Sequence, residues 1–441
     1  MTAKKKKRIK VALTTLGCKV NQFESASFLT GLTERGAEIV PFSHQADVYI
    51  INTCAVTGKA GAQSRQMIRR ALKTNSKARL VVTGCYAQVA TQQVLEIGDW
   101  SLCIVGNGYK HRLVDIALAE KHCDLEMHMG DIGSRKKICP LPVLHFPDDR
   151  TRAFLKIQDG CNSFCSYCIV PYARGRSRSL PVDACFEQIR VFAAGGYQEI
   201  VLTGIHVGMY GLDLAPPTRL ADFIDLATAG FPAIRFRLSS LEPGEVQEEI
   251  LGLMAARPNF MPHLHIPLQS GDDRILKEMN RRYQAADFAR LIKRIREKIP
   301  HAAIGVDVLV GFPGEDEAAF ANTCALLEGL PVTYLHVFPY SKRPGTIAAG
   351  LINQIAGPVK DERVARLRRL SDQKKAAFYQ QHLGTTQRVL AENKNNRYRL
   401  MRGFTENYIP VLFPAQENMS NQIVAVFLDR LEDGIVFGRT V

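Results

Sequence analysis

Short apolar runs typical of buried strands alternate with stretches of helical periodicity over the first 121 residues of the chain. The strand-like runs are residues 11–16, 48–52, 80–83 and 102–105. The helical stretches between them include residues 23–35 and 60–73. This alternation predicts an α/β fold for residues 8–123, with an N-terminal doubly wound parallel sheet.

A second alternating series follows a linker at residues 124–150 that is rich in glycine and proline. Its strand-like runs are residues 153–158, 199–203, 234–239, 263–268, 303–310 and 334–339. Helical stretches between them include residues 182–194, 288–298 and 318–330. Six such units predict a central open (β/α)6 partial TIM barrel over residues 147–380.

The pattern changes again near the end of the chain. A basic helix at residues 360–375 leads to short alternating strands at residues 386–392, 398–401, 409–413, 423–427 and 435–439. They predict a C-terminal small β-barrel over residues 384–441, a fold that can bind RNA on its surface. Candidate RNA-binding residues are the basic side chains Lys394, Arg397, Arg399 and Arg402. The alternative is a solvated hairpin, because charged runs are usually exposed faces.

Composition narrows the function. The 441 residues carry a formal net charge of +14, which indicates a polyanionic partner, and nucleic acid fits better than lipid. No apolar run reaches 18 residues, and the lysine-rich start lacks the features of a signal peptide. We therefore expect a cytoplasmic protein with no membrane partner. In that reducing compartment, the 11 cysteines favour metal clusters or catalysis over disulfides.

Three cysteines, Cys161, Cys165 and Cys168, lie within eight residues, directly after a strand-like run and an Asp-Gly turn. Tetrahedral zinc sites and four-iron clusters usually take four protein ligands, and no fourth cysteine or histidine lies close in sequence. A metal held by this triad would keep an open position, as catalytic metals do. The alternatives are a zinc site and buried structural thiols.

Another three cysteines, Cys18, Cys54 and Cys85, each follow a predicted strand of the N-terminal sheet. Parallel strands place such residues together at the carboxyl edge of the sheet, where open α/β folds bind ligands. The alternative is that they are core cysteines at strand ends. The remaining cysteines lack this pattern, and we interpret them as structural: Cys103, Cys123, Cys139, Cys185 and Cys324.

These features together resemble the radical S-adenosylmethionine methylthiotransferases along essentially the whole chain, and the C-terminal module is similar to their TRAM domain. The matching motifs are Leu-Gly-Cys-Lys-Val-Asn at residues 16–21, Asn-Thr-Cys at 52–54, the C-x3-C-x2-C triad, His-Ile-Pro-Leu-Gln-Ser-Gly at 265–271, Asp307 with Val-Gly-Phe-Pro-Gly-Glu at 310–315, and Tyr-Ser at 340–341 with Arg-Pro-Gly-Thr at 343–346.

The resemblance implies two 4Fe-4S clusters, one on each cysteine triad, and S-adenosyl-L-methionine as cosubstrate. It also implies a sulfur-carrying role for the cluster of Cys18, Cys54 and Cys85. From barrel-rim position and the resemblance together, the residues expected to contact S-adenosylmethionine are Tyr167, Gly204, Ser239 and Gln269.

Within the family, the residues at 17–22 are most similar to the branch that methylthiolates C2 of N6-threonylcarbamoyladenosine at position 37 of tRNA, beside the anticodon. The partners expected are therefore tRNA, an electron donor and a sulfur source. Two other branches remain open, acting on isopentenyladenosine in tRNA or on an aspartate of a ribosomal protein. A non-enzymatic RNA-binding metalloprotein is the alternative from another class.

Overall fold

The computed structural model describes residues 8–98, 101–120, 123–147, 150–395, 400–414 and 419–441, without the side chains of residues 393–395. Its N-terminal part is a parallel six-stranded sheet in the order β2-β1-β3-β4-β5-β6. The strands are β1 Lys10–Thr15, β2 Glu38–Val40, β3 Val48–Thr53, β4 Arg79–Gly84, β5 Leu102–Val105 and β6 Leu125–His128. The helices are α1 Lys19–Glu34, α2 Gly58–Thr74, α3 Cys85–Val89, α4 Thr91–Leu95 and α5 Leu113–Ala117.

Helices cover both faces of this sheet, which confirms the doubly wound arrangement. Ile50 packs with Phe28 of α1 on one face, and its neighbour Ile51 packs with Ile68 of α2 on the other. Cys103 lies in the first of these cores. Strands buried on both faces read as continuous apolar runs, which is why the sequence pattern located them.

The sheet extends beyond residue 123, the limit expected from the sequence. Strand β6, Leu125–His128, pairs in parallel with β5 inside the stretch interpreted as a linker. Its side chains alternate between exposed and half-buried, because it lies at the edge of the sheet. A short edge strand without a buried face gives little hydrophobic signal, so the sequence pattern missed it.

The central part confirms the open barrel of six parallel strands. These are β7 Arg152–Lys156, β10 Glu199–Thr203, β11 Arg235–Leu238, β12 His263–His265, β13 Ala303–Val310 and β14 Tyr334–Pro339. They form the groups β7-β10-β11 and β12-β13-β14, joined by one parallel bridge between Phe236 and Phe260. A small antiparallel pair, β8 Gln158–Asp159 and β9 Arg178–Ser179, flanks the cysteine loop.

Seven helices connect these strands in the described part of the chain. They are α6 Val170–Arg174, α7 Val182–Ala194, α8 Leu220–Gly230, α9 Glu248–Ala256, α10 Asp273–Glu278, α11 Ala285–Lys298 and α12 Glu317–Gly329. The short helix α6 directly follows the second cysteine triad, yet it packs into the N-terminal domain. Its Ala173 and the preceding Ile169 are buried in the same core as Tyr86 and Ile104.

The C-terminal part confirms the small β-barrel. Helix α13, Gly357–Gln380, leads to a closed barrel in the order β15-β16-β17-β19-β18. Its strands are β15 Thr386–Asn395, β16 Leu400–Phe404, β17 Pro410–Phe413, β18 Ile423–Glu432 and β19 Ile435–Thr440. Among the described residues, no helix has the length and apolar character that crossing a membrane requires.

A turn of the small barrel docks under the amino ends of the central strands. Tyr408, with φ of +69°, places its ring 4.8 Å from that of His263. The guanidinium groups of Arg152 and Arg237 lie over the same ring at 5.1 and 4.7 Å. Arg237 is also paired with buried Glu199 at 2.7 Å. The C-terminal barrel is therefore held at the end of the central barrel opposite its carboxyl rim.

Candidate functional site

The first cysteine triad lies at the carboxyl edge of three adjacent strands. Cys18 follows β1 and caps α1, Cys54 follows β3, and Cys85 begins α3 directly after β4. Gly17, with φ of +97°, brings these loops close together, because a Cβ atom there would lie 2.8 Å from the Cys54 Sγ. The parallel register thus brings together three thiols that are distant in sequence, as the strand-end pattern predicted.

Burial raises the pKa of the Cys54 thiol to about 11, and the charges of Cys85 and Cys18 add to the rise. The pKa of Cys18 is also raised, by desolvation and by the neighbouring Cys85, although part of this residue is exposed to solvent. Three neighbouring thiolates repel one another, so the positive charge of a bound metal core is what would keep all three ionised together.

The second triad lies in the loop between β8 and α6, and contacts from neighbouring segments fix it. Ser166 donates its backbone N–H to Met279 O at 3.1 Å. The side-chain amide of Asn280 donates to Phe164 O at 3.1 Å, which supports the positive φ of +46° at Phe164. The loop is therefore held open by protein contacts, with its cysteines half-buried.

Hydrogen-bond donors surround the sulfurs of this loop. Arg281 Nη1 donates to Cys165 Sγ at 3.3 Å, and the Ser163 N–H donates to Cys161 Sγ at 3.4 Å. His206 Nδ1 lies 3.3 Å from Cys161 Sγ, while its Nε2 lies 2.6 Å from Glu245. Such donors stabilise anionic sulfur and tune the potential of a cluster. None of these donors is among the site residues predicted from the sequence.

The width of each triad bears on the choice between zinc and a larger cluster. In the described part of the chain, two groups of three potential ligands have all donor atoms within 4.8 Å of one another, and neither group is a cysteine triad. A tetrahedral zinc ion would hold its sulfurs about 3.8 Å apart, since Zn–S bonds are about 2.3 Å long. At least one pair of sulfurs in each triad is therefore farther apart than a zinc ion would hold it, which argues against zinc.

A buried charge network connects the two triads. Glu24 of α1 is in contact with Lys110 at 2.5 Å, Arg174 at 2.8 Å and Lys156 at 3.2 Å. Arg174 also reaches Asp159 at 3.1 Å, two residues before the second triad. Although burial acts to raise it, these three cations hold the pKa of Glu24 well below its usual range.

Arg174 links this network to the first triad, since its Nε donates to Cys85 Sγ at 3.3 Å. One asparagine from the sequence motifs completes the link. Asn21 donates to Leu16 O at 2.7 Å and to Thr53 O at 3.0 Å, joining the loops that carry Cys18 and Cys54. The sequence motifs contained Asn21, but its role in positioning the cysteines appears only in the fold.

Two of the four rim residues predicted to contact S-adenosylmethionine line one cavity of about 360 Å³. Tyr167 and Gln269 face it together with Asp307 and Cys168. The positive φ of +68° at Gln269 turns the chain at the end of β12. The cavity is thus bounded by the cysteine loop and the carboxyl ends of β13 and β14.

Gly204 and Ser239 are not among the residues that line this cavity. Both follow strands of the other half of the barrel, β10 and β11. The backbone at Gly204 lies against the side chain of Gln158, whose Oε1 accepts from the His206 N–H at 2.8 Å. The Ser239 Oγ is buried and has no hydrogen-bond partner among the described residues, so it is free to bind a ligand group.

This chain is similar to known protein families and to individual proteins of known function. The description "Uncharacterized protein family UPF0004" matches residues 10–106, and "Radical SAM superfamily" matches residues 155–327. The chain is 37% identical over 421 residues to the threonylcarbamoyladenosine tRNA methylthiotransferase MtaB of Bacillus subtilis (strain 168), covering 94% of this chain and 93% of the relative. It is 39% identical to the MtaB of Aquifex aeolicus (strain VF5), covering 91% and 96%.

The chain belongs to the radical S-adenosylmethionine methylthiotransferases. A tRNA-2-methylthio-N(6)-dimethylallyladenosine synthase of Ehrlichia canis (strain Jake) is 32% identical, covering 88% of each chain. Among solved structures, the radical S-adenosylmethionine methyltransferase TsrM from Kitasatospora setae superposes with a TM-score of 0.56 at 17% identity, covering 78% of this chain and 77% of TsrM. That likeness shows a shared fold.

The predicted RNA-binding residues of this methylthiotransferase are only partly described. Arg402 is exposed and lies over the ring of Phe404 at 5.0 Å. Arg397 and Arg399 lie outside the described residues, as does the side chain of Lys394. The pairing of β15 and β16 places the two ends of this basic stretch on neighbouring strands.

Several other basic residues, next to the cysteine loop and on α13, are buried and cannot contact RNA. Arg174 and Arg178 are buried, and Arg363 of α13 is buried in a pair with Glu315 at 2.8 Å. The basic runs in the sequence did not distinguish these internal partners from surface charges, because both give the same local pattern. Arg176 and three residues of α13 remain exposed: Arg366, Arg368 and Arg369.

We predict that Glu24→Gln destabilises the methylthiotransferase by about 3–5 kcal/mol at neutral pH, because three buried cations lose their shared carboxylate. The folded-state pKa of Glu24 lies well below the ordinary value of 4.5, so its contribution is complete above that pH and is lost as the pH falls. Denaturant titrations should show the gap between parent and variant shrinking in acid. Glu187→Gln is the control, since Glu187 pairs with Arg190 on the surface. A gap that is independent of pH would contradict this account.

Proposed function

We propose that the chain transfers a methylthio group to C2 of N6-threonylcarbamoyladenosine at position 37 of tRNA, next to the anticodon. The observation that carries this proposal is the junction of two three-cysteine sites through Arg174, which touches both Cys85 and Asp159. The MtaB relatives support the choice of nucleoside, since their names specify threonylcarbamoyladenosine. The Ehrlichia canis relative favours isopentenyl-type adenosine as a second candidate, at lower identity.

In this proposal, each triad holds one 4Fe-4S cluster through its three thiolates: Cys161, Cys165 and Cys168 in one site, and Cys18, Cys54 and Cys85 in the other. When bound, such clusters would supply an open iron for S-adenosylmethionine at Cys161, Cys165 and Cys168, and a sulfur carrier at Cys18, Cys54 and Cys85. An unactivated aromatic C–H bond resists acid–base chemistry, so the task of the protein is to position the reactants.

The chain's own charges support clusters at these positions. Three cations, Lys110, Lys156 and Arg174, face two carboxylates, Glu24 and Asp159, which leaves excess positive charge beside Cys85. A cluster held by three thiolates is anionic, so this excess stabilises it electrostatically. The N–H donors to Cys161 and Cys165 act in the same way at the other site.

The residues assigned to S-adenosylmethionine are Tyr167, Gly204, Ser239 and Gln269. Tyr167 and Gln269 have support from the cavity they share with Cys168, and Ser239 from its unpaired hydroxyl. Asp307 joins them as a candidate that the sequence motifs contained without a role. Although burial acts to raise it, the histidines His265 and His336 lower its pKa to about 2, so Asp307 presents a carboxylate at the cavity wall.

The remaining parts of the proposal concern partners and location. The net charge of +14 and the small barrel favour tRNA as the partner, with contacts from Lys394, Arg397, Arg399 and Arg402. The reaction also requires an electron donor and a sulfur source. A tRNA substrate and reduced cysteines favour the cytoplasm.

We expect tRNA from a strain lacking this gene to contain threonylcarbamoyladenosine without its 2-methylthio derivative, which should return on complementation. Mass spectrometry of tRNA nucleosides measures both species. A loss confined to the isopentenyladenosine derivative would select the second candidate instead. Unchanged nucleosides would contradict a role in tRNA methylthiolation.

The two triads should differ when they are substituted. Cys161→Ala, Cys165→Ala or Cys168→Ala should abolish formation of 5′-deoxyadenosine from S-adenosylmethionine, because the cluster loses a ligand. Replacing Cys18, Cys54 and Cys85 together should leave that product and abolish methylthiolation, while iron falls by about four atoms per chain. Cys139→Ala is the matched control, at an exposed cysteine outside both sites. An unchanged iron count would make the first triad structural.

Replacing Lys394, Arg397, Arg399 and Arg402 by alanine should flatten the slope of log affinity for tRNA against log salt. Each lost phosphate contact should remove about one unit of slope. The comparison variant replaces Arg366, Arg368 and Arg369 on the exposed face of α13. If that variant alone changes the slope, the RNA contact lies on the helix and the barrel stretch is a solvated hairpin.

A further inference from the structure

A second cavity, of about 270 Å³, adjoins the two cysteine triads on the side of the N-terminal domain. Three of its lining residues directly follow cysteines: Ala55 follows Cys54, Tyr86 follows Cys85, and Ile169 follows Cys168. Ile169 also lines the 360 Å³ cavity at the barrel rim. This second cavity is therefore next to the space where the two sites would act on a common substrate.

Two arginines, Arg65 of α2 and Arg343, share this cavity. Arg65 Nη1 donates to Tyr86 Oη at 2.7 Å, and Tyr86 Oη donates to Gln93 Oε1 at 2.7 Å. Arg343 Nη1 donates to Ala55 O at 3.4 Å and Nε to Lys342 O at 2.9 Å. These bonds fix both guanidinium groups and leave further N–H donors of each without a partner among the described residues.

Both arginines are half-buried, and neither guanidinium is paired with a carboxylate in the described part of the chain, whereas the buried Arg174, Arg237 and Arg363 are. The two positive charges line the same cavity and affect each other: burial lowers the pKa of Arg343, and the charge of Arg65 lowers it further. Two like charges held together in a cavity without an acid form a site for an anion.

We propose that Arg65 and Arg343 bind the carboxylate of the threonylcarbamoyl group and so determine which modified adenosine is accepted. This inference rests on the proposed function. In adenine, N1 is bonded both to C2 and to the carbon that bears N6. When C2 lies between the triads, the N6 substituent therefore extends along the neighbouring edge of the base. The cavity beside Ala55, Tyr86 and Ile169 is where that substituent would lie.

The cavity shape suits this group. Gly58 and Gly61 line it without side chains, and a Cβ atom there would lie 3.3 Å from Arg343 Nη2 and 3.1 Å from the Tyr86 ring, respectively. Val89 and Ile169 supply apolar wall for the threonine methyl group. An isopentenyl substituent would leave both guanidinium groups desolvated without an anion, so the same residues disfavour it.

The test uses the reconstituted full-length enzyme and two anticodon stem-loop RNAs. One carries N6-threonylcarbamoyladenosine, and the other carries its threoninamide analogue, in which the carboxylate is a neutral amide of nearly the same shape. The unaltered enzyme should show KM about 10- to 100-fold higher for the amide RNA, the size of effect expected for a lost charge-assisted contact. This comparison is decisive even if a variant folds poorly.

Arg65→Gln and Arg343→Gln should each raise KM for the carboxylate RNA by a similar factor and leave KM for the amide RNA nearly unchanged. Formation of 5′-deoxyadenosine without RNA should not change. Arg69→Gln is the matched control on the same helix, since Arg69 is exposed and outside the cavity. The carboxylate contact is supported if Arg65→Gln and Arg343→Gln no longer discriminate between the two RNAs, while Arg69→Gln discriminates as the parent does.

Three other outcomes have distinct meanings. If the variants weaken both RNAs equally, the arginines hold a backbone phosphate and the inference is wrong. If the unaltered enzyme uses both RNAs equally well, no charged subsite reads the substituent and the inference is also wrong, while the proposed function stands. If the unaltered enzyme modifies neither of these RNAs but modifies a third stem-loop RNA that carries isopentenyladenosine, the proposed nucleoside is wrong, and so is the inference.

Discussion

The burial of Glu24 among three cations is the constraint on which the rest of the structure depends. A lone carboxylate in this environment would cost several kcal/mol, and so would each cation. Together they form a network to which the N-terminal domain contributes Glu24 and Lys110, and the central domain contributes Lys156 and Arg174. The ion pairs of Glu24 with Lys156 and Arg174 cross from one domain to the other, so the network specifies how the two domains pair.

The same network explains how the two cysteine sites come to adjoin one another. Arg174 contacts Cys85 of the first site and Asp159 beside the second, and Asn21 joins the loops of Cys18 and Cys54. Arg174, whose charge helps to hold the two domains together, therefore also contacts the sulfur of Cys85. Structural stability and control of the thiolates depend on the same side chains, which is a frequent property of metal sites.

The sequence predicted the fold well where burial leaves a periodic signal. The strands of both parallel sheets and of the small barrel are regular and buried, so their positions follow from the apolar pattern, whereas edge strand β6 was missed. The cysteine positions followed from strand direction and register. No local sequence pattern reveals the partners of Arg174, because they come from distant parts of the chain. The same holds for Arg65 and Arg343, which are 278 positions apart in sequence and line one cavity.

Helix α6 belongs to the central domain by sequence but to the N-terminal core by packing, through Ile169 and Ala173. It runs from two residues after Cys168 to Arg174, a segment of five residues that is roughly 7.5 Å long at 1.5 Å per residue. This helix acts as a spacer of fixed length between Cys168 of one triad and the guanidinium that touches Cys85 of the other. Moving Arg174 away from Cys168 would require extracting two apolar side chains from a packed core.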